Sequence, residues 1–248
     1  MNRKKISRKK RVNKSDRYEA FHQSLLKQHP ELKRANRSEE LKAIAAFTKE
    51  RDEESRRKLR HRLEFLTDGI VAIIITIMVL EIPLPSEAAI SYDMFLKAIG
   101  IFFLSFFLVA VFWYEHFKLF SQTEMVSQKV SVINLIFLAV LALIPILTKW
   151  MMFDVSQLSV INYGIAYLII NIVKTTMFAA VRSEHLNDKN WNGPHLKFIV
   201  AQFIMLFALN ALLLYLAWHQ PSVALMLYVI LPLSSFFLQM FFSRGRDH

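Results

Sequence analysis

Long apolar segments separated by short polar connections occupy the chain from about position 65 onwards. Six such segments lie at roughly 65–83, 93–114, 130–149, 158–181, 196–218 and 222–242. Each approaches the ~20 residues with which an α-helix crosses the hydrocarbon core of a bilayer. Pro145 and Pro232 fall inside segments, where a kink is the usual result. The pattern predicts an all-α, polytopic membrane protein with six transmembrane helices.

A polar region precedes the first apolar segment. Residues 1–14 are basic and show no apolar periodicity, which predicts a disordered arm. Ser15 and Asp16, with Glu19 completing a capping-box pattern, predict the start of a short helix that ends near Pro30. A second helix is predicted from about Ser38, continuing into the membrane. The expected organisation is a basic cytoplasmic region over 1–61, a six-helix transmembrane domain over 62–243 and a short cytoplasmic tail over 244–248.

Positive charge is concentrated in the N-terminal region. Residues 1–62 hold 21 of the 31 Lys and Arg residues, but only 9 of the 20 Asp and Glu residues. Of the connections between segments, those expected on the opposite side of the membrane keep only Lys97 and Lys149. Because cytoplasmic connections retain Lys and Arg, this asymmetry predicts that both termini are cytoplasmic. The basic region is expected to contact anionic lipid, and no nucleic acid partner is predicted.

The chain lacks the usual signatures of catalysis. It contains no cysteine, so it can form neither a disulfide framework nor a thiolate metal site. It has no Gly-rich phosphate loop, nucleophile elbow or paired carboxylates at workable spacing, and its histidines are scattered. An enzyme is therefore the least expected function, and no catalytic residue, metal or cofactor is predicted.

The first apolar segment carries an aliphatic stripe. At about 100° per residue, one helix face collects Leu66, Gly69, Ile73, Ile77 and Leu80, with Thr76 on its flank. By itself this stripe fits either a subunit core or a surface shared between subunits. Asp68 points to the opposite side, where it is either an N-terminal helix cap or a partner for another helix.

This stretch resembles the bacterial branch of the transmembrane protein 175 family of potassium channels. The family signature is Arg, three residues, then Phe-Ser-Asp, opening a first span that ends in Leu-Glu-Ile or similar. Arg62 and Asp68 match it, while Leu66 and Thr67 replace its Phe and Ser. The resemblance covers roughly residues 62–145 and includes Ala72, Ile73, Thr76, Val79, Leu80, Glu81, Ile82, Trp113, His116 and Asn134.

The resemblance implies a potassium-selective or weakly selective cation leak channel in a bacterial inner membrane. It implies a homotetramer in which the first helices line the pore and four Ile73 side chains form the hydrophobic constriction. The other implied pore-lining residues are Thr76, Ile77 and Leu80, with Glu81 at the outer mouth, where an end charge exposed to solvent is the alternative. A polar cluster on the cytoplasmic side is implied for Arg62, Thr67, Asp68, Trp113, His116 and Asn134. The implied partners are potassium ions and the lipid bilayer.

Two other function classes remain open. A secondary or proton-coupled transporter usually carries ionisable residues at mid-membrane in two related halves, and no carboxylate is expected well inside a span here. A membrane scaffold would instead capture a partner with the basic region. Lys174, in the fourth segment, is expected to snorkel towards an interface. Asn171 and Asn210 are expected to hydrogen-bond between helices.

Overall fold

The computed structural model describes residue 23 and residues 36–85, 91–185 and 194–244. The elements in these ranges are the helices α1 (Arg37–Leu80), α2 (Tyr92–Ser121), α3 (Gln128–Leu141), α4 (Ile144–Phe153), α5 (Gln157–His185), α6 (Pro194–His219) and α7 (Pro221–Arg244). Apart from residue 23, the predicted arm over 1–14 and the predicted helix between Ser15 and Pro30 lie outside the described residues. Two compact units are present, Met1–Ser55 and Arg56–His248.

The apolar helices lie where the hydropathy pattern predicts them. Within the described residues, four helical stretches are long and apolar enough to cross a membrane, namely Arg37–Leu80, Tyr92–Ser121, Gln128–Phe153 and Gln157–Glu184. α6 and α7 add the shorter apolar stretches Phe203–His219 and Pro221–Ser234. The prediction of an all-α, polytopic membrane protein is therefore confirmed.

α1 begins well before the apolar segment and passes through it as one helix of 44 residues. At its start the Glu39 carboxylate accepts a hydrogen bond from the backbone N–H of Asn36 at 3.1 Å, the second half of a capping box. The prediction that the helix beginning near Ser38 continues into the membrane is confirmed. Asp68 therefore lies in the interior of a helix, and the alternative that it caps a helix N-terminus is wrong.

The third predicted span is interrupted. α3 is capped by the Ser127 hydroxyl, which accepts from the backbone N–H of Val130 at 3.4 Å, and it ends at Leu141. α4 then begins at Ile144 with Pro145 in its first turn. Because proline has no N–H, the Leu141 carbonyl loses the intrahelical partner that a continuous helix would supply. The expected disturbance at this proline is confirmed as a break, whereas α7 continues through Pro232.

α5 is the helix that contacts most of the others. It packs against α3, α4, α6 and α7, while α2 packs against α4 and α7, and α6 against α7. At Gly164 the hydroxyl of Tyr228 lies against the α5 backbone, in the space that a β-carbon would occupy. Only glycine allows so close an approach between α5 and α7.

Candidate functional site

One face of α1 is not covered by the rest of the subunit. Ile73, Ile77 and Leu80 are 57%, 42% and 82% exposed, and Thr76 is exposed beside them. The same side includes Leu66 and Gly69. The opposite side is buried and consists of Leu63, Thr67, Val71, Ile74 and Met78. The alternative that the stripe forms part of its own subunit's core is wrong.

Thr76 is oriented by its own helix. Its hydroxyl donates to the Ile73 carbonyl oxygen at 2.9 Å, a bond that threonine commonly forms within a helix. This bond occupies the only hydroxyl hydrogen, so the lone pairs of the oxygen remain available on the uncovered face. A cation approaching this face would therefore meet an acceptor at Thr76 rather than a donor.

Three buried side chains join α1, α2 and α3. The Asn134 amide nitrogen donates to the Thr67 hydroxyl at 3.3 Å, and its amide oxygen lies 2.8 Å from His116 Nε2. Because the amide oxygen can only accept, the imidazole donates from Nε2. The His116 ring also stacks on Phe120 and Phe137, with centroid separations of 4.3 and 5.8 Å. We refer to Thr67, His116 and Asn134 as the amide cluster.

A second polar contact joins α1 to α2. Trp113 Nε1 donates to the Asp68 carboxylate at 2.8 Å, and the indole stacks on Phe117. Asp68 therefore acts as an inter-helix partner. Arg62 is exposed, and within the described ranges it forms neither a side-chain hydrogen bond nor an ion pair. The structure thus brings together five of the six residues of the implied cytoplasmic-side cluster as two neighbouring groups and leaves Arg62 outside them.

Two arginines that the sequence analysis did not single out hold α1 to other helix ends. Arg60 Nε donates to the Phe120 carbonyl oxygen at 3.0 Å, in the last turn of α2, where that carbonyl also accepts from the backbone N–H of Thr123 at 3.1 Å. The Arg60 guanidinium also pairs with Glu64 at 2.9 Å. Arg56 pairs with Glu184 near the end of α5 at 3.0 Å. Only the spacing of Arg60 and Glu64 is readable from the sequence, because the other partners are far apart along the chain.

Glu81, implied at the outer pore mouth, forms an ion pair. The Lys149 ammonium lies 2.6 Å from its carboxylate, and both side chains are partly exposed. Glu81 directly follows the last residue of α1, and its backbone N–H still bonds to the Ile77 carbonyl at 3.2 Å. Glu81 is therefore a partly exposed charge at the end of α1 that is paired with Lys149 on α4.

Another buried polar group lies deeper among α1, α2, α4 and α5. The Thr148 hydroxyl donates to the Ser105 hydroxyl at 2.8 Å and lies 3.9 Å from the Met78 sulfur. The Tyr163 hydroxyl donates to Ser105 at 3.2 Å. All four side chains are inaccessible to solvent, and we refer to them as the hydroxyl cluster. The sequence analysis missed it, since isolated Ser, Thr and Tyr residues in apolar segments carry no pattern.

Lys174 forms an ion pair rather than snorkelling to an interface. Its ammonium lies 2.6 Å from the Glu115 carboxylate and 5.2 Å from the centroid of the Phe112 ring. Glu115 lies in the last two turns of α2, just beyond the predicted segment 93–114. The expected inter-helix bonds of Asn171 and Asn210 are also wrong, because their amide nitrogens donate to carbonyls of their own helices.

Comparison with known proteins assigns this arrangement to a family. Residues 62–145 match the model of a family described as endosomal/lysosomal potassium channel TMEM175. A potassium channel of Chryseobacterium sp. (strain P1-3) is 35% identical over 140 residues, which are 55% of this chain and 73% of that protein. The chain belongs to the TMEM175 family. This is a family of ion channels, not of enzymes.

The TMEM175 assignment extends to the fold. The crystal structure of a lysosomal potassium-selective channel TMEM175 homolog from Chamaesiphon Minutus has a TM-score of 0.58 to this chain at 20% identity, covering 73% of this chain and 97% of that one. At this identity the likeness shows a shared fold. The segment matched by the TMEM175 model contains the uncovered face of α1 and the whole amide cluster, whereas Lys174 and Tyr163 lie beyond it.

Proposed function

We propose that this chain is one subunit of a homotetrameric, potassium-selective or weakly selective cation leak channel whose pore is lined by α1. Four copies of Ile73 form the hydrophobic constriction, and Thr76, Ile77 and Leu80 line the adjoining pore. The observation that carries the proposal is the uncovered stripe on α1, where Leu80 is 82% exposed and Ile73 is 57% exposed in the single subunit.

The two faces of α1 favour contact with further copies of the chain. The buried face is fixed by polar bonds from Thr67 to Asn134 and from Asp68 to Trp113, so the stripe has a defined direction. α1 is also the least buried of the four long apolar stretches. The buried share of its most apolar 18 residues is 28%, against 39–44% in the others. Gly69 and Thr76 are small residues of the kind that let membrane helices approach closely.

Conduction in this arrangement requires water and ions to pass an aliphatic ring. Hydrophobic constrictions of this kind control permeation through their width and hydration. The Thr76 oxygen, whose hydrogen is bonded to Ile73, provides an acceptor next to the ring that replaces part of a cation's hydration shell. No TVGYG-like carbonyl filter occurs in the sequence, so selectivity in this proposal depends on these side chains.

We place the channel in the bacterial cytoplasmic membrane with both termini on the cytoplasmic side. The support is the retention of most Lys and Arg residues in the N-terminal region and the connections on its side. Lys149, one of the two cations assigned to the opposite side, is neutralised by Glu81. This pairing further reduces the unpaired positive charge on that side.

Electrical recording from purified protein in potassium-loaded liposomes tests the proposal. Wild-type protein is expected to carry a potassium current, and Ile73→Asn is expected to change conductance or selectivity because it places an amide in the constriction. Val79→Asn is the matched control. Val79 is 47% exposed on the same helix but lies about 120° from Ile73 at 100° per residue. A tetrameric preparation without conductance, or equal effects of both variants, would refute the proposal.

A further inference from the structure

The ion pair at the end of α1 bears on how cations enter the pore. Glu81 follows Leu80, the most exposed residue of the α1 stripe, and its carboxylate is 2.6 Å from the Lys149 ammonium. Side-chain exposures are 30% for Glu81 and 42% for Lys149, so solvent reaches the pair from one side. Lys149 lies on α4, the helix that begins at Ile144 after the break in the third span.

Fixed charge at a pore mouth sets the local concentration of permeant ions. An unpaired carboxylate near each Leu80 would give four negative charges around the opening of a tetramer, and such a ring attracts cations. A lysine bonded to each carboxylate cancels that charge at short range. Other charged residues lie at the neighbouring helix ends and are exposed, namely Asp93, Lys97 and Asp154.

We propose that Lys149 is a conductance-determining residue, because its ion pair with Glu81 prevents that carboxylate from concentrating cations at this mouth of the pore. The inference rests on the proposed function. Lys149 thus keeps the mouth close to neutral, and the cation current is lower at low salt than the carboxylates of α1 alone would produce. Its role is electrostatic positioning, exerted through Glu81, and it does not require contact with the permeant ion.

Single-channel conductance measured at low and high potassium concentration tests this inference. Lys149→Met frees Glu81 and is expected to raise conductance about two- to five-fold at 0.01 M potassium, where the Debye length is about 30 Å. At 1 M potassium, where the Debye length is about 3 Å, the variant and the wild type are expected to agree. Glu81→Gln leaves Lys149 unpaired and is expected to lower conductance at low salt.

The double variant Glu81→Gln/Lys149→Met separates charge from structure. It restores neutrality and is expected to return the low-salt conductance to the wild-type value, while Lys149→Arg is expected to preserve it.

The outcomes distinguish this inference from the channel proposal itself. Wild-type current with unchanged low-salt conductance in Lys149→Met and Glu81→Gln overturns the inference alone. Equal changes at low and high salt overturn it as well, since screening would then have no part in the effect. If Lys149→Met fails to assemble, a Glu81→Gln conductance equal to wild type at low salt overturns it. Wild-type protein without any current refutes the channel and the inference together.

Discussion

Replacing Asn134 by alanine removes the central side chain of the amide cluster. Asn134 is completely buried, as is Thr67, and His116 is 3% exposed. The Thr67 oxygen only accepts from this amide, and its own hydrogen can still donate to a carbonyl of its helix, as the Thr175 hydroxyl does, so its loss is small. His116 has no such alternative, because its imidazole Nε2–H is directed at the lost amide between two aromatic rings.

The loss of stability in Asn134→Ala follows from the unpaired His116 donor and the volume that the side chain vacates. An unsatisfied buried donor costs about 1–3 kcal/mol, and the vacated volume adds about 1 kcal/mol. Hydrogen bonds between membrane helices average about 0.6 kcal/mol, which keeps the sum towards the low end. We therefore expect Asn134→Ala to lower the free energy of unfolding by about 2–3 kcal/mol, and Thr67→Val, which leaves the Asn134 amide N–H without its acceptor, by about 1–2 kcal/mol.

Equilibrium unfolding in mixed detergent micelles, followed by tryptophan fluorescence, measures this loss. Asn162→Ala is the matched control, because the Asn162 amide donates at 2.8 Å to the Leu158 carbonyl of its own helix and, among the described residues, bonds to no other helix. The control is expected to stay within about 0.5 kcal/mol of wild type. Equal stabilities of Asn134→Ala and Asn162→Ala would refute the structural role assigned to the amide cluster.

Two further predictions concern packing and charge. Gly164→Ala is expected to destabilise the fold by about 1–3 kcal/mol, because the new β-carbon would occupy the position of the Tyr228 hydroxyl. Gly100→Ala is the control and is expected to be neutral, since no atom lies within 4 Å of its new carbon. Equal thermal stabilities of the two variants would contradict this prediction. Lys174→Met leaves the Glu115 carboxylate unpaired and is expected to lower the free energy of unfolding by about 1–3 kcal/mol. The double variant Lys174→Met/Glu115→Gln is expected to lose less. Unfolding titrations in which the double variant is the less stable would contradict the pairing.

The spans and part of the site were readable from the sequence because each depends on local information. Apolar length predicts a spanning helix without knowledge of its neighbours, and Pro145 marks the break in the third span because a missing N–H acts locally. The family resemblance pointed to Asp68, Trp113, His116 and Asn134, which the structure places in bonded pairs.

The remaining contacts depend on how helices are rotated against one another. Lys149 and Glu81 are far apart in sequence, and their pairing depends on the contact between α4 and the end of α1, which no local pattern predicts. Glu115 lies just beyond the predicted segment 93–114, because hydropathy falls there, whereas α2 continues to Ser121. Asn171 was misjudged for a related reason: a buried amide can satisfy its donor within its own helix, at the Tyr167 carbonyl.

The amide and hydroxyl clusters together set the torsional register of α1. Thr67 and Met78 are eleven positions apart, about three turns or 16 Å along the helix, and both face α2 and the third span. His116 and Ser105 have the same separation on the antiparallel α2. Rotating α1 about its axis by the angle of one residue, about 100°, would separate it from both clusters at once. In the proposed tetramer, rotating this helix alone would break both clusters, whereas tilting whole subunits would preserve them.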